Sequence, residues 1–423
     1  MSPNSRPLAG NSRPRRVVIT GIGAVTPLGS GRAGFWCGVS QGRSAVGPLT
    51  RFDATPFKSQ VAAQIDDFDA LQWMDARAAR RLDRYSQFAV VSAMQAVADA
   101  GLELDAVGRQ HAGVYLGSAL GGLTFAETQH TAFQEGGLRA VDPILALSVF
   151  GSAASANVAM VLGWNGPNMT NANSCASGAL AIGQAFDLMR HGGALVMLAG
   201  GAEAPLAPLT FGSFVLIGAL SSHNTTPETA SRPFDKTRNG FVMGEGAATL
   251  VLEEREHALA RGAHVYAEIA GFATTTDAHH RTAPLPSGIE AARVMREALA
   301  AAGIRPAEVG YVNVHGSGTP LGDRVEALAI REVFGRDLNA VPMSGTKALH
   351  GHALGATGAM EAAICALALD QAWLPPASNI NTRDPECDLP FIEGAGLDRQ
   401  VDSVLSNSFG FGGLNVGLVF RRA

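Results

Sequence analysis

The 423-residue chain is predicted to fold as a layered α/β protein built from two similar halves. Apolar, β-branched runs alternate with small-residue helical runs along its length, which is the pattern of layered α/β architecture. Strings in the second half also echo strings of the first in the same order. V-I-T-G-I-G-A-V-T-P-L-G at 18–29 is echoed by V-N-V-H-G-S-G-T-P-L-G at 312–322, and the helix opening at Cys175 by the helix after His352. The apolar pair 195–203 and 247–253 is echoed by 403–410 and 414–420. No Pro/Ser-rich linker divides the halves near 255–270, so they are expected to pack as one body.

Taken in order, residues 1–15 carry no apolar core and read as a flexible tail without a signal peptide. Residues 16–22 (R-V-V-I-T-G-I) are a buried strand running into a turn. Residues 86–100 are helical and end at Gly101, a residue suited to a left-handed cap. V-Y-L-G-S at 114–118 is a strand. The helix opened by Cys175 runs to about His191, where Gly192-Gly193 stops it, and two apolar strands follow. The first half is placed at 16–262 and the second at 263–423.

Composition narrows the function. Hydrophobic residues make up 47% and charged residues 16%, which describes a packed globular chain. A net charge of −5 gives no bulk attraction to nucleic acid. Four cysteines without CxxC spacing fit a reducing cytoplasm, and no metal-ligand cluster or nucleotide loop is present. Residues 143–186 lack charged side chains but are broken by Gly, Asn, Ser and Pro, so the segment reads as a buried centre with a subunit interface, not a membrane span.

Cys175 lies in N-A-N-S-C-A-S-G-A-L-A-I-G, between a polar approach and a helix. Unpaired N–H groups and the helix dipole at such a start favour thiolate, the nucleophilic form. Read alone, the residue fits a small buried hydrophobe equally well. H-G-S-G-T-P at 315–320 and T-K-A-L-H-G-H-A-L-G-A-T-G at 346–358 bring histidines from separate loops, a constellation suited to thioester chemistry.

These strings, with A-G-G-A-E, R-P-F-D-K-T-R-N-G-F-V-M-G-E-G-A and N-S-F-G-F-G-G, resemble the β-ketoacyl-acyl-carrier-protein synthases from about Arg16 to Phe420, closest to the elongating synthase II branch. The resemblance implies a thiolase-like fold, with duplicated βαβαβαββ halves forming an αβαβα layered sandwich. It implies decarboxylative condensation of malonyl-acyl-carrier protein with a Cys-bound acyl chain in fatty-acid biosynthesis, on an acyl-carrier protein that brings its own phosphopantetheine. No further cofactor and no metal are implied, and a homodimer is expected. A ketosynthase of a type II polyketide or other specialised acyl pathway is the alternative. A non-catalytic chain-length-factor-like partner would have lost the nucleophile, which this chain keeps.

By the same resemblance Cys175 is the nucleophile, and His315 and His352 stabilise the enolate. The backbone N–H groups of Cys175 and Phe411 form the oxyanion hole, and Lys347 and Glu361 support the site. His350 is assigned a structural or surface place. Ser317 and Thr319 hold the pantetheine arm, while Leu120, Phe214 and Phe411 line and gate the acyl pocket. Arg77, Arg80, Arg81 and Arg139 dock the acidic carrier; the residues alone also allow an ordinary solvated helix neutralised by Asp75 and Asp83. Three positions depart from the family pattern: Gly318 in the H-G-S-G-T string, Leu414 after G-F-G-G, and Gly218 where some relatives carry arginine.

Overall fold

The computed structural model describes residues 14–423. Of the expected tail, residues 1–13 lie outside the described residues. Arg15 is tied down, its N–H donating to the Arg190 carbonyl at 3.0 Å.

Among the described residues the continuous path of the main sheet has ten strands: β1 (Val17–Thr26), β2 (Ala112–Gly117), β3 (Asn168–Asn171), β4 (Val196–Glu203), β5 (Gly246–Glu254), β6 (Ala267–Thr276), β7 (Tyr311–Asn313), β8 (Met343–Ser344), β9 (Ser403–Gly410) and β10 (Leu414–Arg421). Their order is β8-β7-β9-β10-β6-β1-β5-β4-β2-β3, with Gly29–Ser30 pairing back on β1. The order divides into two matching fives. In β3-β2-β4-β5-β1 the first two pairings are parallel and the rest antiparallel. The series β8-β7-β9-β10-β6 repeats this. A short antiparallel contact, Val17–Ile19 with Ile269–Ala267, joins the two.

The helices repeat as well. α1 (Arg84–Asp99), α2 (Ala153–Leu162) and α3 (Ser177–Arg190) precede β2, β3 and β4; α4 (Ile289–Ala302), α5 (Pro320–Phe334) and α6 (Thr357–Gln371) precede β7, β8 and β9. Each half therefore reads βαβαβαββ. The duplication is real, but one echo was misaligned: 18–29 lies on β1, the counterpart of β6, whereas 312–322 starts on β7, the counterpart of β2. A strand, a glycine turn and T-P-L-G can begin any strand-to-helix passage, as where Pro320 sits at the first position of α5.

α1 covers the outer face of the first five strands and α4 that of the second, while α3 and α6 touch strands of both sets. The result is five layers, α-β-α-β-α. The middle layer is possible because α6 is buried from Thr357 to Leu369 on every face. At its crossing with α3 the backbones almost touch. A Cβ on Gly178 would lie 2.9 Å from the Ala359 nitrogen, and one on Gly358 2.9 Å from the Ala179 nitrogen.

The uncharged stretch 143–186 is not uniformly buried. Residues from Cys175 to Gly183 are buried, but Leu147, Phe150, Met160 and Val161 are exposed beside β3, the last strand of the sheet. Among the described residues, no helix is long and apolar enough to cross a membrane.

Candidate active site

Two equivalent turns meet at the middle layer. Ser174–Ala176 leads into α3 and Leu354–Ala356 into α6, each as a single 3₁₀ turn. Both open on a non-glycine residue at positive φ, Ser174 at 53° and Leu354 at 42°. Such strain persists only where the surroundings impose it. Cys175 is the centre of the first turn; Gly355 takes that place in the second.

Cys175, His315, His352, Phe411, Ser317 and Thr319 all line one open cavity of about 740 Å³. The chain thus brings Cys175 of the first half to two imidazoles of the second. The imidazole centroids are 5.6 Å apart at 82°. Both rings are buried, and burial, reinforced by the nearby Lys347 charge, holds them well below the usual histidine range. They are neutral at pH 7. The Lys347 ammonium faces His315 Nδ1 at 3.4 Å. Nδ1 must then accept, which leaves the proton on Nε2. Thr357 Oγ1 meets His352 Nδ1 at 2.9 Å; with the hydroxyl donating, Nε2 carries that proton too.

The thiol differs from the expectation. Full burial pushes Cys175 up to about 11. The Ser174 hydroxyl, the Lys347 charge and the Phe411 N–H oppose that rise, and Glu203 adds to it. Desolvation outweighs the turn's N–H groups, so the sulfur is held as a thiol.

Lys347 and Glu361 are both buried and pair at 2.6 Å; Lys347 also donates to the His315 carbonyl. His350 is buried rather than at the surface, its Nε2 3.0 Å from Thr346 Oγ1. Ser317 Oγ and Thr319 Oγ1 lie 2.9 Å apart on the cavity wall. Leu120 and Phe214 do not line this cavity. They belong to the apolar cluster beyond Cys175, where Phe214 stacks on Phe411 with centroids 6.4 Å apart.

Arg77, Arg80, Arg81 and Arg139 are exposed, away from the cavity wall. The arginine run is not one helix. Asp75 caps the single turn Ala76–Ala79, the chain breaks, and α1 starts at Arg84. Asp83 is buried, with desolvation pushing its carboxyl up to about 6, and Arg84 is held by Glu245 at 2.9 Å. Gly318 and Gly218 sit at φ of 85° and 70°, where a side chain is strained. Leu414 opens β10, paired with Thr276.

Sequence reasoning missed several residues. Glu326 accepts from the N–H groups of His315 and Gly316 at 2.7 and 2.8 Å, fixing the loop that presents the first imidazole. Asp323 does the same for Gly318 at 3.0 Å and pairs with Arg238. Their i, i+3 spacing at the start of α5, facing back over H-G-S-G-T, was the available signal. Asp277 accepts from Asn415 Nδ2 at 2.7 Å and joins the G-F-G-G loop to the segment at the cavity mouth. Among the described residues no group of three His, Cys, Asp or Glu side chains is placed to hold a metal.

With this geometry in view, similarity to known proteins can be read. The sequence profile of the beta-ketoacyl synthase N-terminal domain matches residues 14–258, and that of its C-terminal domain residues 266–381. The chain is 43% identical over 412 residues to a 3-oxoacyl-[acyl-carrier-protein] synthase 2 of Synechocystis sp., covering 97% of this chain and 99% of that relative. A type II PKS ketosynthase, solved in complex with its acyl-carrier protein and bound to the hexaketide, superposes with a TM-score of 0.90 at 34% identity, covering 97% and 100% of the two chains. A beta-ketoacyl synthase of Burkholderia phymatum does so with a TM-score of 0.89 at 36% identity and the same coverage.

Proposed function

The chain belongs to the beta-ketoacyl synthase family, and on that premise we propose that it elongates acyl chains in fatty-acid biosynthesis by decarboxylative condensation on an acyl-carrier protein. The observation that carries the reading is the shared cavity of Cys175, His315, His352 and Phe411, with both imidazoles neutral.

In the first half-reaction Cys175 Sγ attacks the acyl thioester carbonyl. The sulfur–carbon bond forms, the carrier's thiol leaves, and the thiol proton of Cys175 ends on that leaving sulfur. The tetrahedral oxyanion sits against the N–H groups of Cys175 and Phe411, donors of a kind worth about 3–4 kcal/mol each. In the second, malonyl-carrier protein loses carbon dioxide. The electron pair of the breaking C–C bond forms an enolate, whose oxygen accepts from Nε2–H of His315 and His352. The enolate carbon attacks the acyl-Cys175 carbonyl and expels the sulfur as thiolate, which takes from water the one proton the condensation consumes. Lys347, neutralised by Glu361, keeps His315 in the donating tautomer and unprotonated.

The carrier's pantetheine arm passes Ser317 and Thr319 while its acidic body docks on Arg77, Arg80, Arg81 and Arg139. No cofactor of the enzyme's own takes part. A second copy of this chain covers the apolar face beside β3, which ends the sheet with an unpaired edge. The H-G-S-G-T string and the likeness to a type II PKS ketosynthase favour a specialised acyl pathway as the second reading. The test is incubation with acyl- and malonyl-carrier proteins. A 3-oxoacyl-carrier protein two carbons longer supports the proposal, and malonyl decarboxylation without chain growth contradicts it.

A further inference from the structure

Glu203 is buried at the end of β4, and the steps above do not use it. Its counterpart in the second half is Gly410, the last residue of β9: Glu203 pairs with the first residue of β5, and Gly410 with the first residue of β10. The two positions are treated oppositely. Gly410 lies over the nucleophile turn, where even a Cβ would be 3.3 Å from the Cys175 nitrogen, so that N–H is left clear. Glu203 lies over the twin turn and caps the equivalent N–H, that of Gly355, at 3.0 Å.

The same carboxylate reaches the acyl side. Oε1 accepts from Ser118 Oγ at 3.0 Å and from the Leu120 N–H at 3.1 Å; Oε2 accepts from the Ala119 N–H at 2.6 Å as well as from Gly355. Four donors from two halves thus converge on one group. One set carries Leu120, in the apolar cluster beyond Cys175; the other follows His352 by three residues. We propose that Glu203 fills the second half's copy of the oxyanion hole and, as a positioning residue, clamps the Leu120 turn to the His352 loop, setting which acyl chains Cys175 accepts. Burial pushes its carboxyl up to about 7, so each accepted hydrogen bond matters to keeping it ionised. The inference rests on the condensing reading above.

Glu203→Gln places an amide NH₂ against backbone N–H donors whichever way the amide turns, those of Ala119 and Gly355 at one oxygen or that of Leu120 at the other. Single-turnover acylation of Cys175 is followed by intact mass, using carrier proteins bearing acetyl and long acyl chains. The variant is expected to lose at least about tenfold on long chains, the scale of a lost charge-assisted hydrogen bond, and much less on acetyl. Alkylation of Cys175 by iodoacetamide is measured against pH in parallel. Lys347 with its partner Glu361, His315, His352, Glu203 and the cavity-lining Glu326 and Asp277 are the ionisable groups around this sulfur, with the Ser174 hydroxyl and Phe411 N–H. Removing the Glu203 charge, which raises the thiol, is expected to shift the midpoint to lower pH. Uniform loss across chain lengths overturns the proposal. If wild type loads no acyl group, the condensing reading fails, and the alkylation midpoint alone decides Glu203, an unmoved one overturning it. Ser118→Ala keeps the charge and removes one donor; it is expected to weaken long-chain loading selectively. It decides the matter should Glu203→Gln not fold, an unchanged profile counting against the clamp.

Discussion

At Cys175 a buried sulfur is opposed by a few favourable dipoles and one ammonium, and burial prevails. In the ligand-free protein, iodoacetamide alkylation of Cys175 is therefore expected to climb toward about pH 11; a midpoint below that of free cysteine would contradict it. The neutral imidazoles divide the work differently. His315→Ala and His352→Ala are expected to cut malonyl decarboxylation by about a hundredfold, the scale of a lost donor to developing charge, and acylation of Cys175 far less. Equal loss in both half-reactions would refute that division. That Cys175, the two imidazoles and Lys347 come together was legible because each sits inside a long string. Glu203, Glu326 and Asp323 were not, because their role is to receive N–H groups that only folding brings together. The thiol's charge was misjudged for the same reason: the turn is local, whereas the burial comes from the whole site.

Among the elements, α6 decides how close the halves come. It is buried on every face from Thr357 to Leu369, and it crosses α3 through Gly178 and Gly358. Gly358→Val would place atoms inside contact distance of the Ala179 backbone and Ser408 Oγ. It is expected to cost about 1–3 kcal/mol, read as a lower thermal midpoint, with both turns displaced and activity reduced; an unchanged midpoint would contradict the close crossing. That a small-residue helix follows His352 could be read from the sequence. The broken arginine segment could not, since Asp75 and Asp83 look alike in sequence, yet one caps a turn in solvent and the other is buried.

Over the whole molecule, duplication yields one site rather than two because the halves diverge at matching positions: Cys175 against Gly355, and Gly410 against Glu203. The βαβαβαββ order was implied by the family resemblance and the later echoes were visible in the strings themselves, whereas the pairing of β1 with β6 depends on contacts no local string encodes. The exposed arginines act on the same scale. Arg80→Glu with Arg81→Glu is expected to raise KM for carrier-bound acyl substrate by on the order of tenfold and to leave KM for a small thioester unchanged. Equal KM values for the carrier would remove the dock.

The central claim is that one sulfur, in a cavity completed by the opposite half, captures the acyl group. Intact mass of the protein after exposure to acyl-carrier protein, followed by peptide mapping, tests it most directly. The account expects one acyl group per chain, on Cys175, and none on the Cys175→Ala variant. An acyl group that persists on that variant, or maps to Cys37, Cys365 or Cys387, would contradict it.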